Sequence, residues 1–347
     1  MNPAAAFLFL AAAAPLAAQP PQECATTIAP DEALRLVAIE RLGLYNRPPA
    51  PARSTVYVGL AFHVVRTSAG AGGIPQSRLD QALIDANEAF APAGIQFCQA
   101  GDTRYIDSST YYTIDNFSEA DALRQINVVP GAINCYFVND AHFCGLSSFT
   151  TSAVQGIVYH NGCVGLPTNR STFPHEIGHY FNLYHTHETA FGTECTNGSN
   201  CATAGDLVCD TPADPMILGQ ISQCLWTGSA SPLCGGLPYT PPVANFMSYS
   251  DKECRTHFTP QQNARGLATL LNLRPELDLN ACAPPPCYAN CDGSTQTPAL
   301  NVADFTCFLT RFAAAESYAN CDSSTQPPVL NVADFTCFLQ QFAAGCP

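Results

Sequence analysis

The stretch that decides this fold is Ser171-Thr-Phe-Pro-His-Glu-Ile-Gly-His-Tyr-Phe-Asn-Leu-Tyr-His-Thr-His187. It places His175 and His179 four residues apart, so a helix would present both imidazoles one turn apart on the same face. Two neutral imidazoles at that spacing bind one zinc ion. Glu176 follows the first His and is turned roughly 100° around the helix axis. It would therefore miss the metal but reach a metal-bound water, where a carboxylate serves as general base.

A third ligand requires the helix to stop. His185 follows six residues after the second His, and a straight helix would swing it away from the metal. We therefore predict a helix with Thr172 as N-cap and Pro174 in its first turn, ending just before Asn182. Asn adopts the left-handed conformation more readily than most residues, so it can redirect the chain. Three protein ligands leave one position open, which is typical of catalytic zinc.

Four segments resemble known proteins. His175-Glu-x-x-His-x-x-Asn-x-x-His185 resembles the metzincin zinc signature, with Asn in the usual Gly position, and Asn245–Ser250 resembles the metzincin Met-turn. Gly205–Pro212 and Cys254–Gln262 resemble segments of the pappalysin (cytophagalysin) family. The resemblance spans roughly residues 56–274. It implies an α+β fold, a metzincin-type catalytic domain with a twisted mixed sheet, an active-site helix and a Met-turn.

The resemblance also implies a function, that of a secreted zinc-dependent endopeptidase acting on protein or peptide substrates. It assigns roles to six residues of the motifs, namely zinc ligation to His175, His179 and His185, general base to Glu176, packing beneath the metal to Met247, and oxyanion stabilisation to Tyr249. His187 competes with His185 as third ligand, although its spacing fits less well. The alternative function is a non-catalytic secreted adhesion or scaffold protein, against which the intact Glu176 argues.

Cys24 stands apart from the other cysteines, near the start of the expected mature chain. In latent pappalysin-like precursors a Cys in a similar short motif blocks the zinc, and a thiolate is a good zinc ligand. The resemblance therefore makes Cys24 a candidate cysteine switch. A plain disulfide from Cys24 to the body of the protein is the other interpretation.

The segment Glu194–Pro215 is rich in acidic and Asn residues and poor in large apolar ones. Pappalysin-like proteins place calcium near such a segment, which makes Asp206, Asp210 and the carbonyl of Thr211 candidate ligands through hard oxygen atoms. An acidic loop that is solvated and held by disulfides is the alternative.

The loop after the Met-turn shapes the pocket for the residue that follows the cleaved bond in related enzymes. Here it contains Lys252, the single lysine of the chain, next to Asp251. A cation at the pocket floor would repel basic substrate residues and attract acidic ones. The alternative has Lys252 in solvent and Asp251 in the pocket, with a preference for basic residues.

Hydrophobic periodicity predicts alternating helices and strands before the zinc helix, and one helix after the Met-turn. The predicted strands are Val56–Val65, Ile95–Cys98, Ala132–Val138 and Gly156–His160, and the predicted helices are Asp31–Leu42, Ser77–Phe90, Ser118–Ile126 and Thr259–Leu271. In metzincins the strand before the active helix is a sheet edge that pairs with the substrate. On that basis Gln155–Tyr159 is predicted to hold the peptide by strand addition.

Composition indicates export. Met1–Ala18 is an apolar run that predicts a signal peptide, and no later stretch is long enough to span a membrane. The chain has 18 cysteines, which fits an oxidising compartment and several disulfides. The net charge of −14 without a basic cluster argues against nucleic acid as a partner. We expect a secreted or extracellular protein, with cell-surface attachment as one form.

The chain divides at Pro-rich segments. We predict a prosegment and linker at 19–54, a peptidase domain at 55–280, a Pro-rich linker at 281–287 and a tandem repeat at 288–347. Within the repeat Asn301–Leu309 returns identically at Asn331–Leu339. The oxygen-rich loops feeding short helices resemble a dockerin, a small α-helical module of EF-hand type. The resemblance implies a cohesin-like or cell-surface partner, and the two units should pack together.

The loops of the repeat are about three residues longer than the usual 12 of an EF-hand. Either bound calcium or disulfides between its cysteines could therefore stabilise the repeat.

Overall fold

The computed structural model describes residues 23–46, 55–281, 287–294, 298–322, 324 and 327–346. The expected signal peptide and most of the Pro-rich linker before the repeat lie outside them. Helices in the described part are α1 Pro30–Arg41, α2 Gln76–Phe90, α3 Ser109–Tyr112, α4 Phe117–Leu123, α5 Thr172–Tyr180, α6 Pro260–Leu273, α7 Val302–Ala313 and α8 Val332–Ala344. Strands there are β1 Val56–Arg66, β2 Ile95–Gln99, β3 Arg104–Asp107, β4 Thr113–Ile114, β5 Ala132–Val138, β6 Asp140–Ala141, β7 Gly145–Ser147, β8 Ile157–His160, β9 Ile221–Ser222 and β10 Leu225–Trp226.

The main sheet is mixed and runs in the order β2-β1-β5-β8-β7. β1 pairs in parallel with β2 along its first half and with β3 along its second half, while β5 pairs in parallel along its other side. β8 continues the parallel part beside β5, and β7 adds to it in the antiparallel direction. The expectation of a mixed sheet is confirmed.

The sheet is buried on both faces, as its composition requires. All but two residues of β1 are buried, so it forms a continuous apolar run rather than an alternating strand. One face packs against α2 and α5 through residues such as Phe62, Phe90 and Ile177. The opposite face packs against α4 through Val65, Tyr136 and Leu123 among others. The active-site helix thus rests on a rigid two-sided layer.

The edge strand differs from the prediction. β8, which contains most of Gln155–Tyr159, lies inside the sheet between β5 and β7. The edge is β7, and Gly145 O accepts the backbone N–H of Ala25 at 2.9 Å. A strand of three residues between two loops has no detectable alternation, which is why the sequence does not indicate it. The strand open to pairing at this edge is therefore Gly145–Ser147 rather than β8.

The segment before β1 is folded onto the rest of the chain. Leu36 of α1 is fully buried against Phe149 and Tyr184. Glu40 forms an ion pair with the buried Arg265 of α6. No helix in the described ranges combines the length and the apolar character that crossing a bilayer demands.

The C-terminal repeat packs on itself, as expected. Phe308 of α7 and Phe338 of α8 are fully buried and stack at 4.2 Å between ring centroids. The hydroxyls of Tyr288 and Tyr318 each donate to the backbone carbonyl of the other residue. Leu309 of α7 is 42% exposed, so the centre of this small interface is formed by aromatic rings.

Seven disulfides join cysteines within the described residues. They are Cys144–Cys163, Cys195–Cys234, Cys201–Cys209, Cys224–Cys254, Cys287–Cys346, Cys291–Cys307 and Cys321–Cys337. The three in the repeat close its ends and pin each loop to its helix, so its small core does not carry its stability alone. The expected disulfide framework is confirmed.

Candidate metal centre

Three imidazoles meet beside α5, the helix that packs against β7 and β8 at one side of the sheet. His179 Nε2 lies 3.2 Å from His175 Nε2 and 3.0 Å from His185 Nε2. All three side chains are at most 5% exposed. Together with Cys24 they place four candidate ligand atoms within 4.8 Å of one another. The His cluster expected from the motif is therefore assembled in the fold.

Helix α5 supplies the first two imidazoles. It starts one residue earlier than an N-cap at Thr172 would give, because Ser171 is the N-cap. Neither residue caps the helix with its own side chain. Instead, Asn169 Oδ1 accepts the backbone N–H of Thr172 at 3.2 Å and its hydroxyl at 3.0 Å. The Thr172 hydroxyl thus donates to Asn169 and does not cap the helix. Pro174 lies in the first turn, as predicted.

The bend that brings in the third imidazole occurs where it was predicted. Phe181 is the C-cap of α5, and Asn182 has φ 56°, in the left-handed region. The backbone N–H of Leu183 then donates to Gly178 O at 2.9 Å, which closes the helix end. The Asn182 side chain is held on both sides, since its Oδ1 accepts Thr150 N–H at 3.0 Å and its Nδ2 donates to the Tyr45 hydroxyl at 2.8 Å.

The tautomers of two imidazoles are fixed from behind. His175 Nδ1 donates to Phe246 O at 2.6 Å, and His179 Nδ1 donates to Leu183 O at 2.8 Å. The Nε2 atoms of both rings therefore carry lone pairs that face each other at 3.2 Å with no proton between them. Burial lowers the pKa of His179 to about 3, so a second proton does not relieve this contact. A cation would relieve it, and the N and S donor set fits zinc.

Glu176 is completely buried beside the imidazoles. Its Oε2 accepts the hydroxyl of Thr26 at 3.1 Å, and its Oε1 has no protein partner. Burial raises the pKa of this carboxyl to about 8. Gly145 of β7 lies against it, since a Cβ at that position would stand 2.4 Å from Glu176 Cγ and Oε1. Only a glycine leaves room for the carboxylate there.

The turn at Asn245–Ser250 lies under the imidazoles. Met247 is fully buried, and its Sδ lies close to Gly178 of α5. A Cβ added to Gly178 would stand 2.8 Å from this sulfur. Asn245 Oδ1 accepts the N–H of Met247 at 2.9 Å, which shapes the turn. The hydroxyl of Tyr249 donates to Cys24 O at 3.1 Å, and its ring centroid lies 4.7 Å from that of His185.

Residues 146–271 match the family model described as pregnancy-associated plasma protein-A. The chain is 32% identical over 225 residues to an extracellular metalloprotease of Colletotrichum graminicola, covering 60% of this chain and 75% of that protein. It is also 32% identical over 256 residues to one of Pyricularia oryzae, covering 67% of this chain and 82% of the relative. This chain belongs to the pappalysin family. It is a metalloendopeptidase, and the family implies zinc as its metal.

The fold is similar to that of a solved Tannerella forsythia promirolysin mutant. The TM-score is 0.56 at 18% sequence identity, over 75% of this chain and 98% of that one. At such identity the likeness concerns the fold only. It agrees with the mixed sheet and the active-site helix of this pappalysin.

Cys24 of this pappalysin is a buried free thiol. Its Sγ lies 3.5 Å from His179 Nε2 and accepts the backbone N–H of Thr26 at 3.2 Å. Within the described residues it is unpaired, together with Cys135, which is buried in the sheet. Burial raises the pKa of the Cys24 thiol, and the nearby Glu176 carboxylate raises it further. The structure thus places Cys24 at the imidazoles and not in a disulfide with another cysteine.

His187 does not join the ligand cluster. Its ring stacks on that of His185 at 4.9 Å between centroids, and the four-residue group of candidate ligands does not include it. Burial lowers the pKa of His187 to about 4, so it faces the cluster as a neutral ring. Of the two candidates for third ligand, His185 is the one in position.

The candidate calcium ligands are only partly together. Thr211 Oγ lies 2.9 Å from both carboxylate oxygens of Asp206, which is buried. Asp210 turns instead to the start of α6, where it accepts the Thr259 hydroxyl at 2.6 Å and the Gln261 N–H at 2.9 Å. The three expected ligands thus do not share one site, and calcium stays a prediction. Glu194, which no motif indicates, is buried nearby, and its Oε2 has no partner among the described residues.

The two candidate pocket residues behave differently. Asp251 is exposed, whereas the Lys252 side chain is 21% exposed and its Nζ lies 2.8 Å from Cys144 Sγ. The same ammonium is 3.7 Å from Glu23 Oε1. Arg255 accompanies it, since its Nη2 lies 2.7 Å from Glu23 Oε2. Arg255 was missed because nothing in a single sequence says which face of a disulfide-bonded loop a residue occupies.

Proposed function

We propose that this pappalysin is a secreted zinc-dependent endopeptidase in which His175, His179 and His185 hold the metal and Glu176 is the general base. The observation that carries the proposal is the pair of unprotonated Nε2 atoms of His175 and His179 facing each other at 3.2 Å. Such an arrangement is unfavourable unless a cation lies between the donors. When bound, zinc polarises the peptide carbonyl and lowers the pKa of a water molecule.

Glu176 has the environment of a proton acceptor. Its Oε1 is buried and has no protein partner, so it is available to a water proton. Burial raises the pKa of this carboxyl, so the carboxylate is a stronger proton acceptor than an exposed one. The protonated carboxyl then passes this proton to the leaving amine. Gly145 keeps the space that this side chain needs.

Two features support binding of an extended peptide along β7. The backbone N–H of Ala25 donates to Gly145 O at 2.9 Å, as a strand added to the sheet edge would do. The Tyr249 hydroxyl donates to the carbonyl of Cys24 at 3.1 Å. A substrate carbonyl in that position would receive the same hydrogen bond, and a developing oxyanion would receive a stronger one. Tyr249 is therefore proposed to stabilise the oxyanion.

The same contacts support latency of the chain described here. Cys24 fills the fourth position beside the imidazoles, with its Sγ 3.5 Å from His179 Nε2. Thr26 takes the Glu176 carboxylate through its hydroxyl at 3.1 Å. A thiolate at the metal and a hydroxyl on the base together exclude the attacking water. We propose that Cys24 is a cysteine switch and that, while Cys24 is present, residues before Thr55 keep the chain latent until they leave.

Export and attachment are proposed from the ends of the chain. The expected signal peptide and the names of the relatives, extracellular metalloproteases, support secretion. The repeat at 288–347 is self-packed and closed by Cys287–Cys346, which supports a separable dockerin-like module for a cohesin-like or cell-surface partner. Asn290 and Asn320 each keep a buried Oδ1 without a partner in the loops, where a calcium ion would find an oxygen ligand.

The test of catalysis uses Glu176→Ala with Glu316→Ala as a control, because Glu316 is exposed in the repeat. Both variants and the wild type are treated identically with trypsin, the trypsin is then inactivated with a serine-protease inhibitor and removed, and the samples are assayed for zinc content and casein cleavage. We expect Glu176→Ala to keep one zinc per chain and to lose activity by about 10²–10⁴-fold. Casein cleavage at the wild-type rate by Glu176→Ala would disprove the base assignment. Activity that survives removal of zinc by a chelator would disprove the proposed metal role.

The separability of the repeat has its own test, a chain that ends at Cys282. We expect the trypsin-treated truncated enzyme to cleave casein at a rate within about twofold of the full chain, because the two parts have separate cores. Failure of the truncated chain to fold would contradict the proposed boundary.

A further inference from the structure

The Lys252–Arg255 pair is built around a carboxylate that belongs to the segment before the catalytic domain. Glu23 Oε2 lies 2.7 Å from Arg255 Nη2, and Glu23 Oε1 lies 3.7 Å from Lys252 Nζ. The Arg255 side chain is 2% exposed and that of Lys252 is 21% exposed. A cation with so little access to water is stable only beside an opposite charge or several acceptors.

Glu23 occupies a position that a substrate side chain would take. It directly precedes Cys24, whose Sγ lies 3.5 Å from His179 Nε2 and whose carbonyl accepts the Tyr249 hydroxyl. The next residue, Ala25, is hydrogen-bonded to the edge strand β7. The chain around Cys24 thus occupies the cleft between β7 and the imidazoles. The Glu23 side chain lies one residue from the sulfur at the imidazoles, where a substrate side chain next to the reacting centre would also lie.

Without Glu23, the remaining acceptors of Lys252 and Arg255 are uncharged. Among the described residues, Arg255 would then keep Ser250 O, which accepts its Nε at 2.9 Å and also its Nη2, as its remaining hydrogen-bond partner. Lys252 keeps the sulfur of Cys144 at 2.8 Å, a weak acceptor. Burial lowers the pKa of Lys252, and the Glu23 carboxylate opposes this change. Removing residues 23–46 would leave both cations without a carboxylate.

The other charged groups of the neighbouring cavity are already neutralised or exposed. The cavity is lined by Asp85, Glu88, Arg170, Lys252, Glu253 and Arg255 among others. Arg170 pairs with Asp85 at 2.7 Å and with Glu88 at 2.5 Å. Glu253 is exposed. The acids of this cavity therefore do not compensate the Lys252–Arg255 pair, and Arg170 offers no free charge to a ligand.

We propose that Lys252 and Arg255 form a carboxylate-binding subsite that accepts an Asp or Glu side chain next to the cleaved bond, and that Glu23 occupies it in the precursor. The inference rests on the proposed peptidase function and names its substrate class. The buried guanidinium of Arg255 would form a charge-assisted hydrogen bond with a substrate carboxylate, which is stronger than its hydrogen bond with a neutral substrate side chain. Substrate Lys or Arg at the same position meets two like charges and is rejected.

The experiment compares peptides that differ at one position. A proteome-derived peptide library first gives the sites that the processed wild type cleaves. Matched peptides with Glu, Gln or Lys beside the cleaved bond then give three values of kcat/KM on one enzyme sample. We expect Glu to exceed Gln by about tenfold and Lys to be the poorest substrate. Because the ratio is taken within one sample, the fraction of folded enzyme cancels.

Variants locate the preference. Lys252→Gln and Arg255→Gln should each bring the Glu-to-Gln ratio towards one, and Lys252→Gln keeps the test open if the buried Arg255 variant does not fold. Arg170→Gln is the matched control, since it removes a cation from the same cavity that has its own acids. Its ratio should equal that of the wild type.

The outcomes separate the subsite from the peptidase. Cleavage without a Glu preference, a preference for Lys or Arg, or a ratio unchanged in both Lys252→Gln and Arg255→Gln would overturn the subsite alone. A ratio that falls equally in Arg170→Gln would also overturn it, because the effect would then come from the general charge. Absence of cleavage of every peptide by zinc-loaded wild type would instead overturn the proposed function.

Discussion

The hydroxyl of Thr26 donates to Glu176 Oε2 at 3.1 Å, and the oxygen of that hydroxyl accepts the backbone N–H of Ser147 at 2.8 Å. A single side chain thus joins the segment that carries Cys24 to both the candidate base and the edge strand β7. The latent state therefore depends on more than one contact, and single substitutions should weaken it to different degrees.

Cys24→Ala should make the unprocessed chain active. The variant removes the sulfur beside His179 Nε2 and opens the position for water, whereas Thr26 remains on Glu176. We expect the purified Cys24→Ala precursor to cleave casein at least about tenfold faster than the wild-type precursor, because the thiolate that would ligate the metal has been removed. Cys135→Ala is the control, since Cys135 is also a buried free thiol but lies within β5. Mass spectrometry that finds Cys24 in a disulfide in the latent form would contradict the switch.

Gly145→Ala should disable the enzyme without unfolding it. The added Cβ would stand 2.4 Å from Glu176 Cγ and Oε1, so the carboxylate must move away from its position. We expect a fall of about 10²-fold or more in kcat with zinc content retained. Gly266→Ala in α6 is the control, because its Cβ finds nothing closer than 3.8 Å.

The control has a predicted effect of its own. A helix-interior Gly→Ala change with free space should raise the free energy of unfolding by about 0.5–1 kcal/mol. Chemical denaturation measures both variants. Wild-type kcat in Gly145→Ala would show that Glu176 is not held where the structure has it.

Asn182 should tolerate glycine better than alanine. Its φ of 56° costs a residue with a Cβ about 1–2 kcal/mol unless side-chain hydrogen bonds offset it. Asn182→Ala removes the bonds to Thr150 and adds the strain, so His185 should be less well positioned and the zinc dissociation constant should rise. Asn182→Gly keeps the bend and should bind zinc within a few-fold of the wild type. Equal zinc affinity of the Ala variant and the wild type, by competition with a chromogenic chelator, would contradict this account.

His63 should make the protein less stable in acid. It is fully buried, donates from Nε2 to Asn134 Oδ1 at 2.9 Å, and burial lowers its pKa from 6.5 to about 4. A depressed His pKa means that the unfolded chain takes up the proton first. Its contribution is therefore complete above pH 6.5 and is lost as the pH falls through 4, by about 3 kcal/mol in all.

The measurement for His63 is the unfolding free energy between pH 4 and 7 in wild type, His63→Phe and the control His142→Phe. His142 is exposed, so its variant should follow the wild type. His63→Phe leaves Asn134 Oδ1 bonded to the N–H of Val129 at 2.8 Å, and its stability should depend less steeply on pH. A slope identical to that of the wild type would assign the acid sensitivity to other groups.

The sequence predicted those parts of the site that local rules determine. A four-residue spacing of His on a helix and the αL preference of Asn182 are properties of short segments, and both appear in the structure. The long predicted strands and helices are also present with ends within a few residues. By contrast, the edge position was predicted for Gln155–Tyr159, whereas β7 occupies it. A strand of three residues depends on tertiary pairing, which local patterns do not indicate.

Contacts between residues far apart in the sequence could not be predicted. Gly145 faces Glu176, Arg255 meets Glu23, and Asp210 caps α6 although it stands in the acidic loop. Each of these contacts depends on the path of loops between disulfides, which no periodicity encodes. The sequence offered residue types there but no partner for them.

The burial of α1 changes what a single cut in the chain can achieve. Leu36 lies in the pocket formed with Phe149 and Tyr184, Glu40 is paired with Arg265, and Asn272 donates to Leu44 O at 3.1 Å. A cut between Tyr45 and Thr55 removes none of these contacts, so the fragment stays on as a non-covalent inhibitor governed by mass action. A freshly cut sample kept concentrated should then remain slow. Diluted into substrate, it should show a lag and then gain specific activity as the fragment dissociates, which makes protein concentration itself a control on activation.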